Sequence, residues 1–194
     1  MTKIIGLTGG IGSGKSTLAK YFNSKGIPVY ISDYEARKIT EYPEIIEQIK
    51  KLFGAEVTDG NILNRAKLAQ LVFNDAEKLE QLNGIIHPEV KKDFQNWLKR
   101  HTHHAFVIKE AAVLFESGAY KECDSIITVI APMQTRIDRV VKRDKISVAQ
   151  VMERINNQWT DEERLSKSNF VIENDEIKHA LRQTDEILKK LTIR

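Results

Sequence analysis

Near its start the chain reads LTGGIGSGKST, from Leu7 to Thr17, and few backbone arrangements accommodate such a segment. The residues before it, Lys3 to Thr8, are apolar and β-branched, as a buried strand requires. The residues after it, Lys15 to about Lys25, carry helical spacing, with Gly26 and Pro28 beyond them as stops. Between the two, Gly9, Gly14, Lys15 and Ser16 satisfy G-x-x-x-x-G-K-[ST]. Such glycines let the backbone curl until successive amides point inward at phosphate oxygens, and the helix N-terminus adds positive potential at the same place. Gly10, Gly12, Ser13, Gly14, Lys15, Ser16 and Thr17 are therefore assigned to a nucleoside triphosphate. Lys15 reaches the β- and γ-phosphates, and the Ser16 hydroxyl is the candidate ligand of Mg²⁺.

A strand and helix joined in this way belong to an open parallel sheet, and the rest of the chain agrees. Four more apolar runs read as strands: Pro28 to Ile31, Ala105 to Glu110, Ser125 to Ala131 and Phe170 to Glu173. Helical patterns separate them. Ser32 with Glu35, Ser147 with Gln150 and Thr160 with Glu163 have capping-box spacing, and a last helix spans about Glu176 to Leu191. Alternating strands and helices predict an α/β fold of three layers around a five-stranded parallel sheet. The stretch between the second and third strands exceeds what one crossover needs. Residues 1–59, 101–135 and 168–194 are expected to form the core of a single domain, with a helical insertion at about 60–100 and a smaller helical excursion at about 136–167.

Composition excludes several classes. Thirty Lys and Arg against 27 Asp and Glu leave +3 over 194 residues, too mild for a nucleic-acid protein. Cys123 is the only cysteine, so neither an internal disulfide nor a cysteine-zinc cluster can form. No apolar run reaches membrane-spanning length and the N-terminus lacks a signal-peptide shape, so a cytoplasmic setting without membrane or nucleic-acid partners is expected.

Other residues carry competing readings. Asp33 directly follows the second strand, where ligands of open parallel sheets sit. Its carboxylate either takes the proton of an attacking hydroxyl or decorates a helix N-terminus. Glu110 ends the third strand and either holds a Mg²⁺-bound water or pairs with Lys109 or an arginine. Arg139 and Arg143, at i, i+4 with Arg136 on a neighbouring face, either clamp triphosphate oxygens or belong to a solvated face shared with Asp138, Asp144, Glu153, Asp161, Glu162 and Glu163. Arg154 and Gln158 repeat the spacing. His101, His103 and His104 resemble a metal tract but lack a fourth ligand at suitable spacing. His87, before Pro88, either caps a helix or meets an anion. Trp97 reads as core, and Trp159 is positioned to stack on a base.

Taken in order, these segments resemble the dephospho-coenzyme A kinase family over nearly the whole chain. LTGGIGSGKST is similar to its P-loop, VYISDYEAR to the strand and helix carrying its catalytic aspartate (here Asp33) and a nearby arginine (here Arg37). IIHPEV, Ile85 to Val90, looks like its His-Pro motif, and VLFESG, Val113 to Gly118, like its L-F-E segment. RVVKRD, Arg139 to Asp144, with RINNQ, Arg154 to Gln158, looks like its lid. The chain departs from the family pattern at Ile31, at Glu110 to Val113 and at Ser168-Asn169.

The resemblance implies a P-loop kinase fold in which ATP, with Mg²⁺, phosphorylates the ribose 3′-hydroxyl of dephospho-coenzyme A to give coenzyme A and ADP. It implies Lys15, Asp33, Arg139 and Arg143 as catalytic residues, and His87, Arg37 and Glu116, with Asp33, around the acceptor. The excursion at 136–167 becomes its lid and the 60–100 helices its grip on a long acceptor. The partners would be small molecules, and the state a monomer or weak homo-oligomer. Another small-molecule kinase, for a nucleoside or nucleoside monophosphate, shares the loop. A regulatory module using ATP for conformation alone would need no base at Asp33.

Overall fold

Five parallel strands form the main sheet: β1 (Lys3–Thr8), β2 (Val29–Ile31), β5 (Phe106–Glu110), β6 (Ser125–Ile130) and β7 (Phe170–Glu173), in the order β2-β5-β1-β6-β7. The computed structural model describes residues 2–73 and 75–192. Each expected strand is present to within a residue at either end. Leu7 lies opposite Glu110 on one side and Ile127 on the other, and Ile31 lies opposite Glu110. The carboxyl ends of β1, β5 and β2 are thus level, and the connections leave the sheet along one edge.

The strands lack alternation because both faces are covered; every residue of β5 is buried. Ile5, Leu7, Ile108, Ile127, Val129 and Ile172 pack against Leu18 and Phe22 of α1 (Lys15–Ser24) and Ala180 and Ile187 of α9 (Ile177–Thr192). Each large apolar side chain buried in this way contributes roughly 1.5–3 kcal/mol relative to its exposed state. Between β6 and β7 lie α6 (Met133–Asp144), α7 (Val148–Asn156) and α8 (Asp161–Leu165). Ile137, Val140 and Val151 form their small core, and Ile11, from the glycine-rich loop, packs against it.

The chain divides into two compact units. The first holds the sheet and runs to Ile31, resuming at His101. The second, Ser32–Arg100, contains the segment expected as an insertion at about 60–100 and begins well before it. It comprises α2 (Ser32–Ile39), α3 (Pro43–Phe53), the short hairpin β3 (Thr58–Asp59) and β4 (Ile62–Leu63), α4 (Arg65–Phe73) and α5 (Ala76–Lys99). Its core is its own: Ile39, Ile45, Ile49, Phe53, Val57, Leu63, Leu68 and Leu82. Pro43 starts α3 at a position where its missing N–H costs nothing. Pro88, by contrast, lies inside α5.

Two of the three expected capping boxes form. Ser147 and Gln150 close one at α7, and Thr160 and Glu163 another at α8. The third does not. Ser32 is already helical, immediately after β2, so the cap position falls on Ile31, whose side chain offers no acceptor. The Ser32 hydroxyl is buried without a partner among the described residues, and Glu35 pairs with Lys38 at 3.0 Å. No described helix is long and apolar enough to cross a membrane.

Candidate active site

The glycine-rich loop joins the end of β1 to α1, and α6 packs directly on it. Gly12 has a φ of 78°, and a Cβ there would lie 2.5 Å from the main-chain oxygen of Arg136. Glycine thus supplies both the left-handed backbone and the close approach. Lys15 is only 8% exposed, and its Nζ donates to the carbonyls of Gly9 at 2.7 Å and Gly10 at 3.3 Å. Phosphate oxygens would compete for these donors. Ser16 and Thr17 are exposed on the first turn of α1. The hydroxyls of Ser13 and of Thr8, the last residue of β1, are buried without partners among the described residues. Each such orphan costs on the order of 1–3 kcal/mol until a partner arrives.

The two expected lid arginines have different surroundings. Arg139 reaches the loop: its Nη1 lies 3.4 Å from the Gly12 oxygen and 3.5 Å from the Ser13 oxygen, and its Nη2 donates to the Asn174 carbonyl at 3.2 Å. Arg143 is exposed and donates to Asp144 at 2.6 Å. Asp144 also accepts from Arg154 at 2.9 Å. These bonds, Arg143's first, hold the Asp144 carboxyl below the usual carboxylate range, and the same bond raises Arg143.

Three contributors to the loop were not assigned from sequence. Arg136, 3% exposed, donates from Nε to the Ile11 oxygen at 3.0 Å and from Nη1 to Asp161 at 3.1 Å. The amide nitrogen of Asn174 donates to the Ser13 oxygen at 2.7 Å, and Gln158 accepts from the Ile11 amide at 2.8 Å. Arg136 and Gln158 carry a signal in the sequence: Gln158 by its i, i+4 spacing from Arg154, Arg136 by its place three residues before Arg139. Asn174, one residue past the last strand, carries none.

Glu116, implied near the acceptor, faces α8. Its Oε1 accepts the Trp159 amide at 3.0 Å and lies 3.6 Å from the fully buried Arg164, which pairs with Asp161 at 3.1 Å. The Trp159 ring lies on Phe115 at 5.3 Å, 5° from parallel, and one of its faces is thus taken by the apolar cluster that follows β5. Lys109 pairs with Glu122 at 3.0 Å, whereas Glu110, next along the strand, points to the other face and is 5% exposed. Beside the loop, the turns Ile130-Ala131-Pro132 and Glu173-Asn174-Asp175, with Asp161, enclose a pocket of about 300 Å³.

In the second unit, Asp33 is exposed in the first turn of α2, with Arg37 exposed one turn later. His87 lies inside α5, so it caps no helix, and burial lowers its pKa from the usual imidazole value. The rings of His101, His103 and His104 are 4.2–6.5 Å apart. No group of three or more His, Cys, Asp or Glu suited to a metal ion occurs among the described residues.

Comparison with known proteins follows the same outline. Residues 3–179 match the dephospho-CoA kinase family. A dephospho-CoA kinase of Fusobacterium nucleatum is 45% identical over 174 residues, covering 89% of each chain. A crystal structure of a Thermus thermophilus protein covers 97% of both chains with a TM-score of 0.90 and 35% identity. The dephospho-CoA kinase structure from Campylobacter jejuni covers 98% of both, with a TM-score of 0.72 and 27% identity.

Proposed function

This chain belongs to the dephospho-CoA kinase family, and we propose that it transfers the γ-phosphoryl group of ATP to the ribose 3′-hydroxyl of dephospho-coenzyme A, releasing coenzyme A and ADP. The observation that carries the reading is the loop itself: Lys15, buried, has its ammonium among the Gly9 and Gly10 carbonyls, with Arg139 reaching the carbonyls of Gly12 and Ser13. Two cations converge there on a segment whose backbone is bent by positive φ at Gly9, Gly12 and Gly14. Such a cradle suits the tail of a triphosphate.

The adenine base occupies the pocket formed by the turns after β6 and β7. Lys15 follows the charge as it spreads over the β- and γ-phosphates. Arg139 adds to this, and Arg143 joins it when the lid of α6 to α8 closes and a phosphate replaces Asp144 as its partner. The Asp33 carboxylate accepts the proton of the ribose hydroxyl. The freed oxygen attacks the γ-phosphorus in line as the bond to the β–γ bridging oxygen breaks, and ADP leaves. Arg37 and His87 bind the acceptor; Glu116 supports it by holding Trp159 and Arg164.

Mg²⁺ fits the residues present. The Ser16 hydroxyl is solvent-facing at the first turn of α1, and Glu110 ends β5 level with β1. A site with few protein oxygens suits an ion that takes its other ligands from phosphates and water. When bound, it neutralises charge on the β- and γ-phosphates. The enzyme acts in the cytoplasm as a monomer or weak homo-oligomer.

The test is an acceptor panel with purified protein, ATP and Mg²⁺: dephospho-coenzyme A, adenosine, AMP and TMP. Coenzyme A is the expected product. Preference for any other acceptor overturns the assignment, and ATP binding with no phosphorylated acceptor at all points to a regulatory module.

A further inference from the structure

Gly10 differs from the other glycines of the loop. Gly9, Gly12 and Gly14 have positive φ, which by itself favours glycine, whereas Gly10 does not. Its constraint is space. A Cβ built on Gly10 would lie 2.1 Å from Nη2 of Arg136, 2.5 Å from its Cζ and 3.0 Å from its Nη1. That guanidinium has little freedom to yield. It is 3% exposed, bonded through Nε to the Ile11 oxygen and through Nη1 to Asp161. The other oxygen of Asp161 is occupied by Arg164, which is fully buried. An ion chain with both arginines buried and Asp161 part-exposed between them therefore runs from Arg164 in α8 through Asp161 and Arg136 to the crest of the loop.

We propose that Arg136 is a positioning residue that holds residues 10–12 in their phosphate-receiving shape, and that position 10 must be glycine because of Arg136 rather than because of the nucleotide. The inference rests on the reading of this loop as a triphosphate site. Arg136 acts through the main chain of Ile11. An alanine at position 10 would push the guanidinium off Ile11 and Asp161, and the crest would lose the bond that sets it. A lysine at position 136 keeps a cation for Asp161 but lacks the fork that fills the space over Gly10.

The test is a double-mutant cycle read by calorimetric ADP affinity, which needs no acceptor. Gly10→Ala is expected to weaken ADP binding by about tenfold or more, and Arg136→Lys by about three- to tenfold, whereas the double variant stays within about twofold of Arg136→Lys alone. The KM for ATP rises in each variant and the KM for the acceptor does not, which a general loss of structure would not produce. Multiplying penalties in the double variant, or wild-type affinity in Arg136→Lys, would overturn the proposal. Should Arg136→Lys fail to fold, Asp161→Asn takes its place. With its anchor loosened, the guanidinium can yield, and the Gly10→Ala penalty must shrink; an undiminished penalty overturns the proposal. Absence of ADP binding by the wild-type protein defeats the triphosphate reading itself and is distinguishable from either result.

Discussion

The side-chain amide of Asn174 donates to the main-chain oxygen of Ser13 at 2.7 Å, across 161 residues of sequence. Through it the turn after β7 supports the floor of the phosphate loop from below, while Arg139 joins the two by bonding the Asn174 carbonyl.

Asn174 is 2% exposed, so replacing it with alanine leaves the Ser13 oxygen short of a donor that water cannot readily supply. The expected cost is about 1–3 kcal/mol in denaturant unfolding, together with a rise in the KM for ATP. A variant unchanged in both measurements would show that the loop holds its shape without this bond.

Lys15 and Asp33 are assigned to different stages of the reaction, and substitutions should separate them. Asp33→Asn is expected to lower kcat by about 10²–10⁴ while ADP affinity changes by less than about twofold. Lys15→Ala is expected to damage both, because its ammonium serves bound and reacting phosphates alike. If Asp33→Asn keeps wild-type turnover, Asp33 is not the base.

Acid should weaken the Asp144 node selectively. A carboxylate whose folded pKa lies below its ordinary value of 3.8 contributes stability that is fully present above that value and disappears as pH falls through the folded one. The wild-type protein should therefore melt above Asp144→Asn at neutral pH, with the gap closing below about pH 4. A gap of constant size from pH 7 to pH 3 would show that Arg143 and Arg154 gain nothing from this charge.

Cys123 should be a poor nucleophile in the folded protein. Burial pushes its thiol up to about 11 from 9.0, against a smaller opposing pull from Lys109. Two units mean roughly a hundredfold less thiolate at neutral pH. Alkylation at pH 8 is expected to be slower by at least about that factor in native protein than in denaturant, and equal rates would contradict the burial.

Much of the site was legible because its chemistry is written locally. The loop, the strands flanking it and the boxes at Ser147 and Thr160 depend on residues within a few positions of one another. The same locality explains the failure at Ser32. Its spacing to Glu35 is correct, yet α2 begins at Ser32 itself and leaves the cap position to the apolar Ile31. Arg143 shows a second limit. Its spacing from Arg139 places both on one helical face, but the adjacent Asp144 accepts its guanidinium at 2.6 Å.

By itself the sequence determined a parallel α/β sheet, a phosphate loop between its first strand and helix, and helical segments before and after the third and fourth strands, because apolar period and backbone preference are properties of neighbouring residues. Only the tertiary structure decided the strand order, the seat of Trp159 on Phe115, and the bonds that Arg136, Gln158 and Asn174 bring to the loop from more than a hundred residues away. A buried donor takes whichever acceptor the packed chain places within about 3 Å, and separation along the sequence carries no record of that distance.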